Sequence, residues 1–236
     1  MNNPAVKLRA GPTSLFYIIR MREPKVKLTL TLRFLVAMIL LAVPALVHAQ
    51  KPMTGVEQAR VDSIRRPYTE ADIEFMSGMI GHHSQAVKMA GWCASHGANK
   101  SLQIFCGRIA LGQTAEIGLM SDWLKDRNRP VPKPDPRGMP MKMGGQEMFM
   151  MMPGMLTEEQ MAKLDAARGV EFDRLFLTWM IQHHQGAITM VNTLLASPGA
   201  AQDEVVFKFS NDVQADQTTE IERMQQMLDA LSPPLE

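Results

Sequence analysis

The chain of 236 residues contains no serine–histidine–aspartate set, no cysteine–histidine pair and no glycine-rich phosphate loop, so nothing in it points to hydrolytic or nucleotide chemistry. Basic runs are absent too. Residues 1–49 carry seven Lys/Arg and one Glu, and the 18 basic and 23 acidic residues that follow make a mildly acidic chain, which argues against a nucleic-acid partner. The apolar run Phe34–Val43 is too short to span a membrane comfortably. Arg22, Lys25, Lys27 and Arg33 precede it, and Val47-His48-Ala49 follow Pro44. This is the pattern of a secretory signal over 1–49, with Met21 an alternative start, and it predicts a periplasmic or secreted protein with no stable membrane span after processing. No cysteine lies near the cleavage point, so a lipid anchor is not expected. Cysteine itself is scarce. Cys93 and Cys106 flank the polar stretch 97–101, and a disulfide and two buried free thiols are the alternatives for them in an exported chain.

Against these absences, methionine is abundant, at 21 residues, more than adaptable packing normally requires. Four of the six histidines fall in two similar stretches, FMSGMIGHHSQAVKM (75–89) and FLTWMIQHHQGAITM (176–190). At an offset of 101 residues, Asp72, Phe75, Met79, Ile80, His82, His83, Ala86 and Met89 meet Asp173, Phe176, Met180, Ile181, His183, His184, Ala187 and Met190. At an offset of 104, Gln113, Thr114, Glu116, Ile117, Met120 and Leu124 meet Gln217, Thr218, Glu220, Ile221, Met224 and Leu228. The growth in offset is expected to lie in a longer second inter-helix loop. Each half then forms one helical hairpin, 69–127 and 157–232, after a polar leader over 50–68. Two hairpins bury their apolar faces best against each other, which predicts an all-α four-helix bundle.

Within the first hairpin, Thr69 is the expected N-cap of a helix to about Ser95, and a second helix is expected from about Leu102 to Arg127. Thr157 and Gln160 form a capping-box pattern ahead of a helix bent near Gly169. Residues 128–156 are a Pro- and Met-rich linker, with eight methionines between Met139 and Met155. Two readings compete for it: a segment packed over a groove, or a flexible thioether-rich stretch that captures soft metal ions.

The repeated residues occupy inward-facing seams. Phe75, Met79, His82, Ala86 and Met89 step by four and three, as do Phe176, Met180, His183, Ala187 and Met190. The partner helices offer Ile109, Gln113, Glu116, Met120 and Trp123, and Val213, Gln217, Glu220, Met224 and Met227. A His, a Gln and a Glu in a core seam are costly unless satisfied. Folding each hairpin about its turn predicts His82 opposite Glu116 and Met79 opposite Met120, and likewise His183 opposite Glu220 and Met180 opposite Met224. His83 and His184 lie about 100° around the helix, placed to ligate from the flank or to hold a carboxylate such as Asp72 or Asp173. A single seam histidine is ordinarily a hydrogen-bonded core residue. The duplication of the pair together with its methionine and facing glutamate favours a metal site instead. The glutamates are either ligands or acceptors that fix the histidine tautomer. Met89 and Met190, two turns on, read more readily as core. Neutral thioether and imidazole donors suit Cu(I), ahead of Zn and of Fe or Mn.

The stretches FMSGMIGHHSQAVKMA and FDRLFLTWMIQHHQGAITM, each followed by a QTAEIGLM-like segment, resemble the domain-of-unknown-function family 305 over Thr69 to Leu231. MPGMLTEEQMAKLDAARGVEFDRLF, leading into the second pair, resembles it as well. The resemblance implies a ferritin-like four-helix bundle. Because members include cyanobacterial periplasmic copper-binding proteins, it also implies copper sequestration through Met79, His82, His83, Met89, Met180, His183, His184 and Met190. The Cys93/Cys106 pair departs from that pattern. The expected function is a non-enzymatic copper buffer or carrier serving copper tolerance, with a periplasmic copper transporter or chaperone as the onward partner. The alternatives are a dinuclear Fe/Mn oxidase or peroxidase using Asp72, Asp173, Glu116, Glu220 and the histidines, and a metal-free structural or interaction bundle.

Overall fold

In a computed structural model, residues 54–57, 60–61 and 67–231 are described. The expected signal segment, most of the leader and the end of the second hairpin at Ser232 lie outside the described residues. Thr69 starts α1 (Glu70–Gly91): its hydroxyl accepts from the Asp72 N–H, and the Asp72 carboxylate accepts from the Thr69 N–H at 2.7 Å, closing a capping box. Asn99 caps α2 (Lys100–Asp126) by accepting from Leu102 N–H at 3.0 Å. Gly97 sits at φ 73° in the connection, a conformation that ends helical progress and favours glycine. Further on, Thr157 and Gln160 form a second capping box at the start of α3 (Glu158–Ala166). The helix expected to bend near Gly169 is in fact two. Ala167 and Arg168 are extended, and α4 (Gly169–Ala196) begins anew, with Gly169 at φ 58° and its N–H donating to the His96 carbonyl at 2.9 Å. Asp203 caps α5 (Glu204–Ala230), accepting from the N–H groups of Val205 and Val206.

α1 packs on α2 and α4 on α5, and the two hairpins meet chiefly through α1 and α4. The extra three residues of the second half are not in its loop. The connection 197–203 is one residue shorter than 92–99, and α4 runs about a turn beyond the position matching the end of α1. Cys93 and Cys106 are joined as a disulfide across the first connection.

Aspartates that the sequence offered to the histidines serve the turns instead. Buried Asp72 accepts from the Ala201 N–H at 2.7 Å in the second hairpin's turn, and Asp173 accepts from Asn99 Nδ2 at 2.7 Å and from its N–H in the first's. Each hairpin thus fastens the other's connection. Buried Asp203 adds a third tie, accepting from Trp123 Nε1 at 3.1 Å and pairing with Arg127 at the far end of α2.

The core separates into two apolar clusters. One holds Met76, Met79, Ile80, Met120, Met190 and Phe209, and the other Met89, Phe172, Phe176, Met180 and Met224. Burying each such side chain fully contributes about 1.5–3 kcal/mol. On α2, Ile104 and Leu111 face solvent.

The linker departs from an all-helical chain. β1 (Met139–Met143) and β2 (Gln146–Met150) form an antiparallel hairpin about Gly144-Gly145, and the segment Met152–Met155 then lies across α1 and α4 as a strap. Glycines on the helices make room for the linker. A Cβ on Gly186 would stand 1.9 Å from the Pro153 carbonyl oxygen, one on Gly81 2.7 Å from the Gly138 backbone, and one on Gly78 2.9 Å from Met152 Sδ. Gln85 fixes both ends of the linker, donating to the carbonyls of Pro136 and Leu156 and accepting from the Leu156 N–H at 2.7 Å.

Candidate metal centre

All four paired histidines have zero solvent exposure and form a layer between the two apolar clusters. The α1 and α4 seams that carry the first histidine of each pair face each other, so His82 and His183 lie ring over ring, with centroids 3.8 Å apart and planes at 38°. This corrects the expected pairing within each hairpin: the first histidines face each other, and the second ones meet the glutamates. His184 Nε2 bonds Glu220 Oε2 at 2.7 Å, and His83 Nε2 lies 2.8 Å from Glu116 Oε2 but off the line of a well-formed hydrogen bond. The 100° step between adjacent helical residues is the reason. With α1 and α4 meeting at the centre, the first histidine takes the inter-hairpin position, and the second rotates toward its own partner helix.

The layer is short of hydrogen-bond partners. The Pro153 carbonyl can only accept, so His82 Nε2–H donates to it at 3.1 Å, which leaves His82 Nδ1 a buried lone pair without a partner. His184 donates to Glu220 through Nε2 and also leaves Nδ1 unpartnered. His183 has neither ring nitrogen in a well-formed hydrogen bond, the backbone of His82 being only a poorly aligned neighbour. Buried unsatisfied nitrogens of this kind cost about 1–3 kcal/mol each, a cost that a bound ion would remove. Burial pushes His82 down to about 3, and the neighbouring His83 adds to the shift. Burial, then His82, holds His183 well below the usual imidazole range. Both rings are therefore neutral near pH 7, the form that ligates metal.

Methionines flank this layer on both sides, and each trio draws on both hairpins. Met79 and Met120 share their cluster with Met190, and Met180 and Met224 share theirs with Met89. Met89 and Met190, read from sequence more readily as core, thus each lie in the apolar cluster that holds the opposite half's methionines. Among the described residues, no three His, Cys, Asp or Glu side chains converge closely enough to hold a metal ion without such other donors. On the α2/α5 side, Glu116 and Glu220 separate the histidines from a cleft of about 150 Å³ also lined by Gln113, Asp216 and Gln217. Partial burial, then the charges of Glu116 and Glu220, raise the Asp216 carboxyl above its ordinary value.

The sequence pattern of the domain of unknown function DUF305 matches residues 72–228. This chain belongs to the DUF305 family. A DUF305 crystal structure from Streptomyces coelicolor, described as a candidate secreted protein, is 27% identical, with a TM-score of 0.57, over 68% of this chain and 93% of that one. A DUF305 fragment from Deinococcus radiodurans is 25% identical, with a TM-score of 0.55, over 70% of this chain and 99% of that one. CopM in its Cu(I)-bound form is 25% identical, with a TM-score of 0.52, over 71% of this chain and all of that one, 100%. No curated protein matches the chain.

Sequence reasoning missed the Pro153 carbonyl, which carries no side-chain signal, and Gln85, whose place between His83 and Met89 gave no reason to expect that it fastens the linker. It also missed His96, whose Nε2 lies 2.9 Å from both the backbone oxygen and the carboxylate of Asp165 and ties the first connection to α3.

Proposed function

We propose that this DUF305 protein is an exported, non-enzymatic copper-binding protein. It is a ferritin-like four-helix bundle that takes Cu(I) as its cargo in the histidine layer and buffers it or passes it on. The observation that carries this reading is the apposition of His82 and His183 with three buried ring nitrogens between them left without partners. The donors are neutral, so a monovalent ion brings only one uncompensated charge into the apolar core, with the Met79/Met120/Met190 and Met89/Met180/Met224 sets supplying thioethers on either side. His83 and His184, oriented by Glu116 and Glu220, are further ligands of the layer. Solved forms of CopM with Cu(I), Cu(II) and silver bound support the choice of metal. Among the described residues no helix is long and apolar enough to cross a membrane.

The dinuclear oxidase reading loses two of its four carboxylates, since Asp72 and Asp173 are committed to the turns. Metal analysis after purification from cells supplemented with copper and iron tests the proposal. Copper retained stoichiometrically under reducing conditions is expected. An oxygen-sensitive pair of irons would assign the protein to redox chemistry, and a folded protein without tightly bound metal would leave a structural bundle.

A further inference from the structure

The linker's methionines acquire an order that their spacing along the chain does not reveal. Gly144 and Gly145 both have positive φ, 60° and 83°, the two-residue turn that matches strand twist and fixes the register of a hairpin. That register pairs Met139 with Met150, Met141 with Met148 and Met143 with Gln146. Directly paired residues share a face, as do alternate residues of one strand, so all five methionines of the two strands stand on one face. Pro140 and Phe149 occupy the other. That opposite face is the one that packs: Phe149 lies under the Arg137 guanidinium at 3.8 Å and lines a cavity with Gln85 and Leu156. Met143, Met148 and Met150 remain exposed, at 58%, 46% and 41%. A solvent-facing sheet surface of long apolar side chains gains little from burial, so packing does not account for this face.

We propose that the methionine face of the β1–β2 hairpin is a second soft-metal site, an acquisition site for Cu(I) or Ag(I) built from the thioethers of Met141, Met143 and Met148, with Met139 and Met150 at its margin. Cβ atoms of a directly opposed pair stand about 4.5–5.5 Å apart, and alternate residues of one strand about 7 Å apart. A flexible methionine side chain spans such gaps, so three sulfurs of this face reach one ion. Sulfur donors without carboxylates select soft monovalent ions over hard divalent ones. The chain also leads from this face toward the core. β2 runs into exposed Met151 and then into Met152, whose Sδ lies over Gly78 beside the methyl group of Met190. Transfer along this row of thioethers to the histidine layer rests on the proposed function; the surface site does not.

The test uses the full-length processed chain and silver nitrate as a redox-inert probe, with bound Ag(I) counted by equilibrium dialysis and elemental analysis. In the variant M141L/M143L/M148L, leucine keeps bulk and apolarity and removes sulfur. It is expected to bind one Ag(I) fewer per chain than the wild type, with an unchanged thermal melt. In the variant H82A/H183A, the surface ion is expected to remain while the core ion is lost. The reverse pattern, with all silver lost in the histidine variant and none in the methionine variant, would overturn the surface site and leave the proposed function standing. If the triple variant misfolds, methyl-13C methionine spectra of H82A/H183A titrated with Ag(I) decide the matter. Early shifts of the Met141, Met143 and Met148 methyls, identified by single leucine substitutions, support the site. Early shifts confined to other methionines reject it.

Discussion

The two hairpins repeat one pattern and differ in how they are closed. In the first, Cys93 and Cys106 lock the arms near the turn; Leu194 and Ser210 stand at the matching positions of the second, both buried and not covalently joined. In the first, His82 donates to the Pro153 carbonyl of the strap, whereas His183 has no such partner. In the second, the histidine–glutamate bond is well formed, whereas in the first the same two groups are close but misaligned. The shared features are those that build the histidine layer, and the differing ones lie at its supports. Because His82 and His183 come from different halves yet stack, the histidine layer is built by both hairpins together.

The largest expected effect tests that last point. If the halves share one core site, His82→Ala and His183→Ala should each weaken Cu(I) binding by about a hundredfold or more, measured by competition with a Cu(I) chelator. Each variant retaining one of two tight ions would divide the site between the hairpins.

The covalent difference comes next. A C93S/C106S variant should lose about 3 kcal/mol of stability in denaturant titration, the value expected for a loop of this length. A loss close to zero would mean that the first connection is held as well by its hydrogen bonds as the second is.

The reciprocal ties predict near-equal penalties from the two halves. Asp72→Ala and Asp173→Ala each strip an acceptor from buried turn N–H groups, and each should cost about 1–3 kcal/mol by the same measurement. A strongly unequal pair would show that one hairpin's turn depends on the other far more than the reverse.

The smallest effect distinguishes the two glutamates. Glu220→Gln should weaken Cu(I) binding about tenfold through loss of the well-formed bond to His184, and Glu116→Gln by less. Equal losses would indicate that binding brings His83 and Glu116 into the alignment already present in the second half.

Much of this was legible in the sequence, because helical periodicity and capping are local. Thr69 and Thr157 mark helix starts through contacts three residues away, and the repeat of Met-Ile-x-His-His announces two equivalent seams. The seam positions Gln113, Met120, Val213, Gln217 and Met224 are buried, as their four–three spacing requires. Which seam residues touch was not legible. Folding each hairpin alone paired His82 with Glu116, but the meeting of α1 with α4 is a contact between halves that no spacing within a half specifies. It rotates the first histidine to the centre and the second to the glutamate.

The linker shows the same division. Its composition announced thioethers. Only the Gly144-Gly145 turn and the strand register aligned five of them on one face, and only the close approach of the strap to Gly78 and Gly186 laid its carbonyl on His82. The sequence by itself determined the donors, the helices that carry them and the duplication, since these follow from neighbours within a few residues. The tertiary structure alone decided which of these residues meet, since that depends on how the two hairpins pack.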